Sequence, residues 1–438
     1  MKRREWMAVV VGMSVVGASA THAQVRGTVF GPGSRSYPIA VSPLKDQSDR
    51  GTGAKLAVEF ADIVVRDLDL AGLFKIIDRS AYIEPPDTTG ITAEQINFDN
   101  WSVIGALALV KGSVQSVGND LTVEARLFDV YQRRQLVGRR YRGDSPTQVR
   151  RIANRFADEI MAQFTGERGP FDSRIAFVST RGGRFKNLYV MSLDGGDLLQ
   201  VTSGKTLDLS PSWSIDNRSL LYTSYKRGNP DLYSLDLIAS RETRLSAEKG
   251  LNLGGKWSPD GSRLAVALED KGNSDIFLLD RDGKVIRRLT DHWGIDVSPS
   301  WSPDGQHLAF CSDRSGVPQI YIINADGTGV HRVSTEGNYN TSPAWSPKGD
   351  RIAYTGRAGG RFNVFTVKVD GSETQQLTSG QGSNEDPSWA PDGRYIVFSS
   401  TRTGAALLYV MDRTGTSQVA LTHGSGDDTS PTWSRWLE

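Results

Sequence analysis

Cysteine is nearly absent from this chain: Cys311 is the one thiol in 438 residues. No internal disulfide can form. The thiol closes the apolar run Leu308-Ala309-Phe310-Cys311, which predicts a buried, inert side chain. Histidine is scarce, with five residues. No His-Glu-x-x-His, P-loop, Gly-x-Ser-x-Gly elbow or Cys-x-x-Cys occurs, so the common metalloprotease, nucleotide-hydrolysing, serine-hydrolase and thiol-redox signatures are excluded. An excess of charge of one sign is missing too. The formal net charge is +1, which argues against a general nucleic-acid binder. Long apolar runs are missing with one exception, Trp6 to Gly17, and that run is too short to span a bilayer. Lys2, Arg3 and Arg4 precede it, and Ala18-Ser19-Ala20 and Ala23 follow, as in a secretory signal over 1–23. Cleavage is expected after Ala23 or Ala20. No cysteine near that site marks a lipoprotein, and the mature chain is expected to be soluble, with no direct membrane insertion.

Glycine, by contrast, is abundant at 46 residues, as suits a fold of many tight turns. Tryptophan recurs every 44 residues, at Trp213, Trp257, Trp301, Trp345, Trp389 and Trp433. A fixed period of this size is the signature of a propeller array. After each of four tryptophans comes a turn: Ser-Pro-Asp-Gly at 258–261 and 302–305, Ser-Pro-Lys-Gly at 346–349, Ala-Pro-Asp-Gly at 390–393. Proline at the second place presets φ for a type I turn. A second aromatic keeps the same period at Tyr189, Tyr233, Phe277, Tyr321, Phe365 and Tyr409. Four strands per unit and six units make a six-bladed β-propeller over 171–438. The first unit begins at Ile175 without a tryptophan strand, and the last supplies an orphan one at Pro431-Thr432-Trp433. Those pieces are expected to complete one blade from both ends and remove an exposed edge. All six tryptophans read as core.

Residues 24–168 carry no such repeat and read as an α/β domain with a partly antiparallel sheet. Strands are expected at Ile39 to Val41, Phe74 to Ile77, Ala106 to Val117, Leu121 to Val130 and Gln135 to Tyr141. Thr52 is the expected cap of a helix bearing Leu56, Phe60, Ile63, Val64 and Leu68 and ending at Gly72. Ser145-Pro146 opens a second helix, stopped by Gly166. Arg168-Gly169-Pro170 reads as a short linker. The arginines from Arg133 to Arg155 read as a solvated helix face.

Five residues before each tryptophan stand Asp208, Asn252, Asp296, Asn340, Asn384 and Asp428. Ring closure places all six at one mouth of the channel. Each can make a local side-chain turn, and together they form a ring of acceptors suited to a peptide or to a cation such as Ca²⁺. Nothing else in the sequence calls for a cofactor. His292-Trp293 has no aromatic counterpart in the other blades, where Lys205, Lys249, Gly337, Gln381 or Ser425 takes the place of Trp293. With Tyr339 in the neighbouring loop, Trp293 reads as a protein-binding anchor. A propeller lyase, hydrolase or glycosidase would need Asp208, Asp296 or Asp428 as its acid–base pair. Their repeat-equivalent positions favour a structural role, and no catalytic residue is assigned. The repeat also runs to within five residues of the end of the sequence, so no following hydrolase domain is expected.

The repeat Ser-Pro-x-Trp-Ser-Pro-Asp-Gly at 298–305, the order of signal, α/β domain and six blades, and the segment Ala71-Gly72-Leu73-Phe74-Lys75-Ile76-Ile77-Asp78 resemble the TolB family of the periplasmic Tol-Pal system. Gly254-Gly255-Lys256-Trp257 departs from the pattern by lacking Ser-Pro, and Trp433 is followed by Ser-Arg-Trp. The resemblance implies a monomeric, non-enzymatic periplasmic scaffold that joins TolA to the peptidoglycan-associated lipoprotein Pal and so maintains outer-membrane integrity and constriction during cell division. It implies Pal at the propeller mouth. It assigns TolA to the leader Gln24-Val25-Arg26-Gly27-Thr28-Val29-Phe30, whose alternation is compatible with strand addition to a partner sheet. A scaffold in another envelope assembly is the remaining alternative of the binding class.

Overall fold

The computed structural model describes residues 36–85, 90–380 and 382–438. The expected signal segment 1–23 and leader Gln24 to Phe30 lie outside the described residues. In the N-terminal domain the strands run in the order Phe74–Ile76, Tyr37–Val41, Ala108–Val117, Asp120–Asp129, Arg134–Gly143. The first two junctions are parallel and the last two antiparallel. Helices α1 (Ala54–Ala71) and α3 (Val149–Thr165) bury Phe60, Ile63, Val64, Ile152, Phe156 and Ile160 in a common core with the sheet. Each ends where the sequence predicts, at Gly72 and Gly166, both in the left-handed region that side chains rarely adopt. Ser145 accepts from the Thr147 N–H at 3.3 Å and opens the turn that leads into α3. Thr52 does not cap α1. A 3₁₀ turn at Asp49–Gly51 intervenes, Gly53 takes the cap position, and Thr52 Oγ1 donates instead to the Asp49 and Ser116 carbonyls. Sequence reading also missed α2 (Phe98–Ser102), which buries Trp101 on the far face of the sheet with its indole N–H on Glu84 at 3.2 Å.

Beyond Arg174 the chain makes six four-stranded sheets. Five are built from consecutive strands. The sixth pairs the last strand, Asp428–Trp433, with Arg174–Ser179, so the ring closes with strands from both ends of the array. The turns after the tryptophans carry the i to i+3 bond of a type I turn, as from Gly261 N–H to Ser258 O at 2.8 Å and Gly305 N–H to Ser302 O at 3.0 Å. Each innermost strand is bulged at its third residue. Ser210, Gly254, Ser298, Ser342, Asp386 and Ser430 all sit there with φ between +50° and +59°. Gly254 therefore keeps the bulge although its strand lacks Ser-Pro. The core reading of the tryptophans holds fully for four. Trp213, Trp301, Trp389 and Trp433 are buried, whereas Trp257 and Trp345 are half-buried. Trp213, Trp301 and Trp389, in alternate blades, donate their indole N–H to a carbonyl of the preceding inner strand.

Residues 36–438 form one compact unit, with a core that runs from α1 and α3 into propeller residues such as Phe177, Leu408 and Leu421. The Tyr395 hydroxyl donates to Ala71 O at 3.2 Å, at the end of α1. Of the arginines of α3, Arg150 departs from a solvated face by pairing with Asp194, a fully buried carboxylate of the propeller, while Arg151 and Arg155 stay largely open to solvent and reach Asp172. Periodicity finds such a polar face but not what covers it. The segment expected as a linker is pinned, since Arg168 bonds Asp158 and Asp172 while Asp158 also accepts from the Phe171 N–H at 2.8 Å. Glu167 accepts from Lys348 at 2.9 Å and Arg394 at 3.0 Å, both in turns that follow the tryptophans. The N-terminal domain thus docks where the innermost strands end. The mouth where those strands begin faces away from it.

Candidate functional site

At that distal mouth the six ring residues each open an innermost strand. All are buried, at 4% exposure or less. In three blades a serine directly across in register donates to the ring residue: Ser179 to Asp428 at 2.6 Å, Ser224 to Asp208 at 2.6 Å, Ser400 to Asn384 at 2.8 Å. Where no serine stands opposite, asparagine supplies its own donors. Asn252 donates to Glu248 O at 2.9 Å, and Asn340 to Glu336 O at 2.7 Å and to Gln319 Oε1 at 2.8 Å. Arg314 holds Asp296 at 2.7 Å, Arg402 holds Asn384 at 2.9 Å, and Arg181 pairs with Asp428. Burial nevertheless pushes the Asp296 carboxyl above the ordinary carboxylate range, with Arg314 acting in the opposite direction. Each ring residue is engaged inside its own blade or by the one before it, which is the local side-chain role, although Asp296 Oδ1 is left without a hydrogen-bond partner. Among the described residues no group of three or more His, Cys, Asp or Glu is placed to hold a metal.

The three arginines escaped the sequence reading, although Ser179-x-Arg181, Ser312-x-Arg314 and Ser400-x-Arg402 carry a common signal. Each guanidinium lies over a pair of neighbouring aromatic rings, Arg402 at 4.2 Å from the Tyr409 centroid and Arg314 at 5.1 Å from that of Tyr321. Cys311 is buried one strand away, its Sγ 3.5 Å from Asn340 O, and burial pushes the thiol up to about 11.

Among charged loop residues such as Lys205, Lys249 and Glu336, the mouth also presents large apolar side chains to solvent. Trp293 is 71% exposed, Ile295 51% and Tyr339 39%. The loop beneath Trp293 is nonetheless fixed. Asn273 donates to His292 O at 2.6 Å, the Gly294 N–H donates to His292 Nδ1 at 3.0 Å, and the Ile295 N–H to Asp313 at 2.7 Å. The His292 ring lies 5.2 Å from that of Trp293, and Phe362 meets Tyr339 edge-on at 5.5 Å. A large aromatic held by a tied-down backbone loses little freedom on docking. Ile295 and Phe362 were missed. The position just before the ring is apolar in four blades, as Leu207, Leu251, Ile295 and Tyr339, and that was the available signal.

Deeper in, the inner strands enclose a channel cavity of about 350 Å³ lined by their Ser-Pro segments, with Lys256, Asp386 and Arg435 as its charged residues. Burial draws the Lys256 ammonium down to about 8, and Asp386 opposes that shift. No helix of the described residues is long and apolar enough to cross a membrane.

Comparison with known proteins agrees with this architecture. The family profile of the TolB amino-terminal domain matches residues 27–136, and that of the TolB beta propeller domain matches 161–437. The Tol-Pal system protein TolB of Desulfosudis oleivorans is 42% identical over 215 residues, 49% of each chain. That of Syntrophotalea carbinolica is 41% identical over 218 residues, 50% of each. The match spans about half the length of these curated relatives. The crystal structure of TolB from Acinetobacter baumannii superposes with a TM-score of 0.79 at 26% identity, over 92% of this chain and 97% of that one. Since the propeller profile alone takes in more than half of the sequence, the chain belongs to the TolB family of the Tol-Pal system.

Proposed function

We propose that the protein is a non-enzymatic periplasmic scaffold that binds Pal at the distal propeller mouth and TolA through the leader Gln24 to Phe30. In this reading the link maintains outer-membrane integrity and supports constriction during division. The observation that carries it is Trp293, a rigidly mounted indole with no core to fill, 71% exposed beside Ile295 and Tyr339. Such an aromatic is the kind of anchor on which protein interfaces concentrate their energy. The family supplies the system in which a partner is to be sought. An enzymatic reading draws no support from the ring, because Asp208, Asp296 and Asp428 are buried and each is held by a serine or an arginine of its own blade. The test is calorimetric titration of purified Pal into the protein and into Trp293→Ala, with a pull-down from periplasmic extract beside it. Saturable binding weakened by the substitution is expected. Binding that ignores Trp293, Ile295 and Tyr339 alike would move the site elsewhere, and capture of a different envelope protein in place of Pal would replace the partner.

A further inference from the structure

The channel carries two charged departures from its own repeat. At the bulge position five blades have serine or glycine, and the fifth blade has Asp386. Two residues later the blades read Ser212, Lys256, Ser300, Ala344, Ser388 and Thr432, so the second blade alone has a lysine. Blades two and five are three apart in a ring of six. Lys256 and Asp386 therefore stand on opposite walls of the same cavity, and both line it.

They do not neutralise each other by contact. Asp386 is fixed to its own wall, accepting from Ser342 Oγ at 2.9 Å and Ser430 Oγ at 3.0 Å, while its backbone N–H is held by Thr355 Oγ1 at 3.0 Å. Among the described residues no carboxylate lies within ion-pair distance of the lysine Nζ, and the anionic field that reaches it is that of Asp386. An ammonium walled into a channel without a paired anion is costly, and a ligand carboxylate would relieve that cost. The walls supply donors to assist it. Ser300 and Ser388 each accept a tryptophan backbone N–H at 3.0 Å, which leaves the hydroxyl protons for the channel. Asp386, with one serine on each oxygen, retains lone pairs for a cationic group on the far side. Proline and tryptophan faces fill the rest of the wall, and a volume of about 350 Å³ is at the small end of ligand sites.

We propose that the channel is a binding site for a small zwitterion of the amino-acid or short-peptide class, its carboxylate on Lys256 with Ser300 of the adjacent blade, its ammonium toward Asp386 on the wall that also carries Ser388. A dianion is disfavoured, since its second charge would face Asp386, and a dication is disfavoured by Lys256 in the same way. The site is independent of the partner assigned to the mouth.

The experiment is calorimetric titration of glycylglycine and triglycine, with acetate and methylammonium as the two half-ligands. It uses the wild type and the variants Lys256→Ser and Asp386→Ser. Each substitution restores the residue common in the other blades, so folding is expected to persist, and the melting transition and near-ultraviolet circular dichroism check it. Saturable binding of at least one peptide is expected, at least about tenfold tighter than either half-ligand and weakened about tenfold or more by each substitution. No saturation by either peptide up to about 10 mM would overturn the proposal. So would peptide binding unchanged in Lys256→Ser. Acetate binding as tightly as the peptides, or binding that tightens in Asp386→Ser, would leave a plain carboxylate site and refute the zwitterion.

Discussion

Ser179 donates to Asp428 at 2.6 Å across 249 residues of chain, and this buried bond joins the first strand of the propeller to the last. The same junction holds the Trp433 indole N–H on Ser173 at 2.8 Å and the Arg174 N–H on Ser434 at 2.8 Å. Removing residues 431–438 takes away half of that strand, Trp433 included, and opens the edge of Arg174–Ser179 that it covered. The expected result is a clear fall in Tm with new concentration-dependent aggregation, followed by differential scanning and light scattering. Asp428→Ala is the finer test. It strands Ser179 and Arg181 without their acceptor and is expected to cost on the order of 2–3 kcal/mol in urea unfolding. Parent-like stability in both variants would mean that the ring does not depend on this closure.

Trp293 and Trp301 separate recognition from packing within eight residues of chain. Trp293→Ala is expected to weaken Pal binding by on the order of 2 kcal/mol and to leave Tm nearly unmoved, because the ring is exposed. Trp301→Ala is expected to cost roughly 3–5 kcal/mol of stability, since it empties a buried site and frees the Lys256 carbonyl. The half-buried Trp257 should cost less than Trp301. Calorimetry and denaturant unfolding on the same preparations read both quantities.

Lys256→Ser is expected to stabilise the protein at pH 7. Burial lowers the folded ammonium to about 8, while the unfolded chain keeps an ordinary lysine near about 10.4. Between those values the unfolded state holds the proton and the folded state does not. Stability of the parent should therefore rise with pH through that window, and the advantage of the variant should shrink. Unfolding curves at pH 7 and pH 10 measure it. An advantage that stays constant with pH would assign the effect to packing.

The tryptophan period made the propeller legible, and the missing tryptophan strand at one end with the spare one at the other made its closure legible. Both are properties of spacing along the chain. What the ring residues bond was not legible in the same way. Ser179 meets Asp428, and Ser400 meets Asn384, only through strand register, which decides whether a carboxylate faces solvent or a buried hydroxyl. Arg150 shows the same limit. Its place on the polar side of α3 is readable, yet its partner Asp194 lies 44 residues on, in another layer. Thr52 fits the composition of a cap, but a 3₁₀ turn that no periodicity announces displaces it. Trp293 was found because a loop aromatic broke the repeat, and Phe362 was missed although it breaks the repeat too, standing where the other blades have Lys186, Pro230, Ser274, Pro318 and Ala406.

The two proposed partner sites are expected to be coupled. The mouth bearing Trp293 faces away from the N-terminal domain, which is tied to the other end of the propeller through Glu167, Tyr395 and Arg150. Under the proposed function one partner binds at the mouth and the other at the leader Gln24 to Phe30. Two sites that exchange ordering energy must affect each other equally in both directions. The Gly31-Pro32-Gly33-Ser34 segment that follows the leader has the composition of a flexible joint. Deleting Gln24 to Phe30 is thus expected to abolish capture of TolA and also to change Pal affinity. A coupling of ordinary size, about 1–3 kcal/mol, corresponds to roughly 5- to 150-fold. Pal is titrated into the full-length and leader-deleted proteins in one buffer, and TolA into the parent with and without saturating Pal. Linked sites require that Pal shift TolA affinity in the parent, and by the same factor as TolA shifts that of Pal. Equal Pal affinities in the two proteins would leave the mouth as a binding site and remove the coupling.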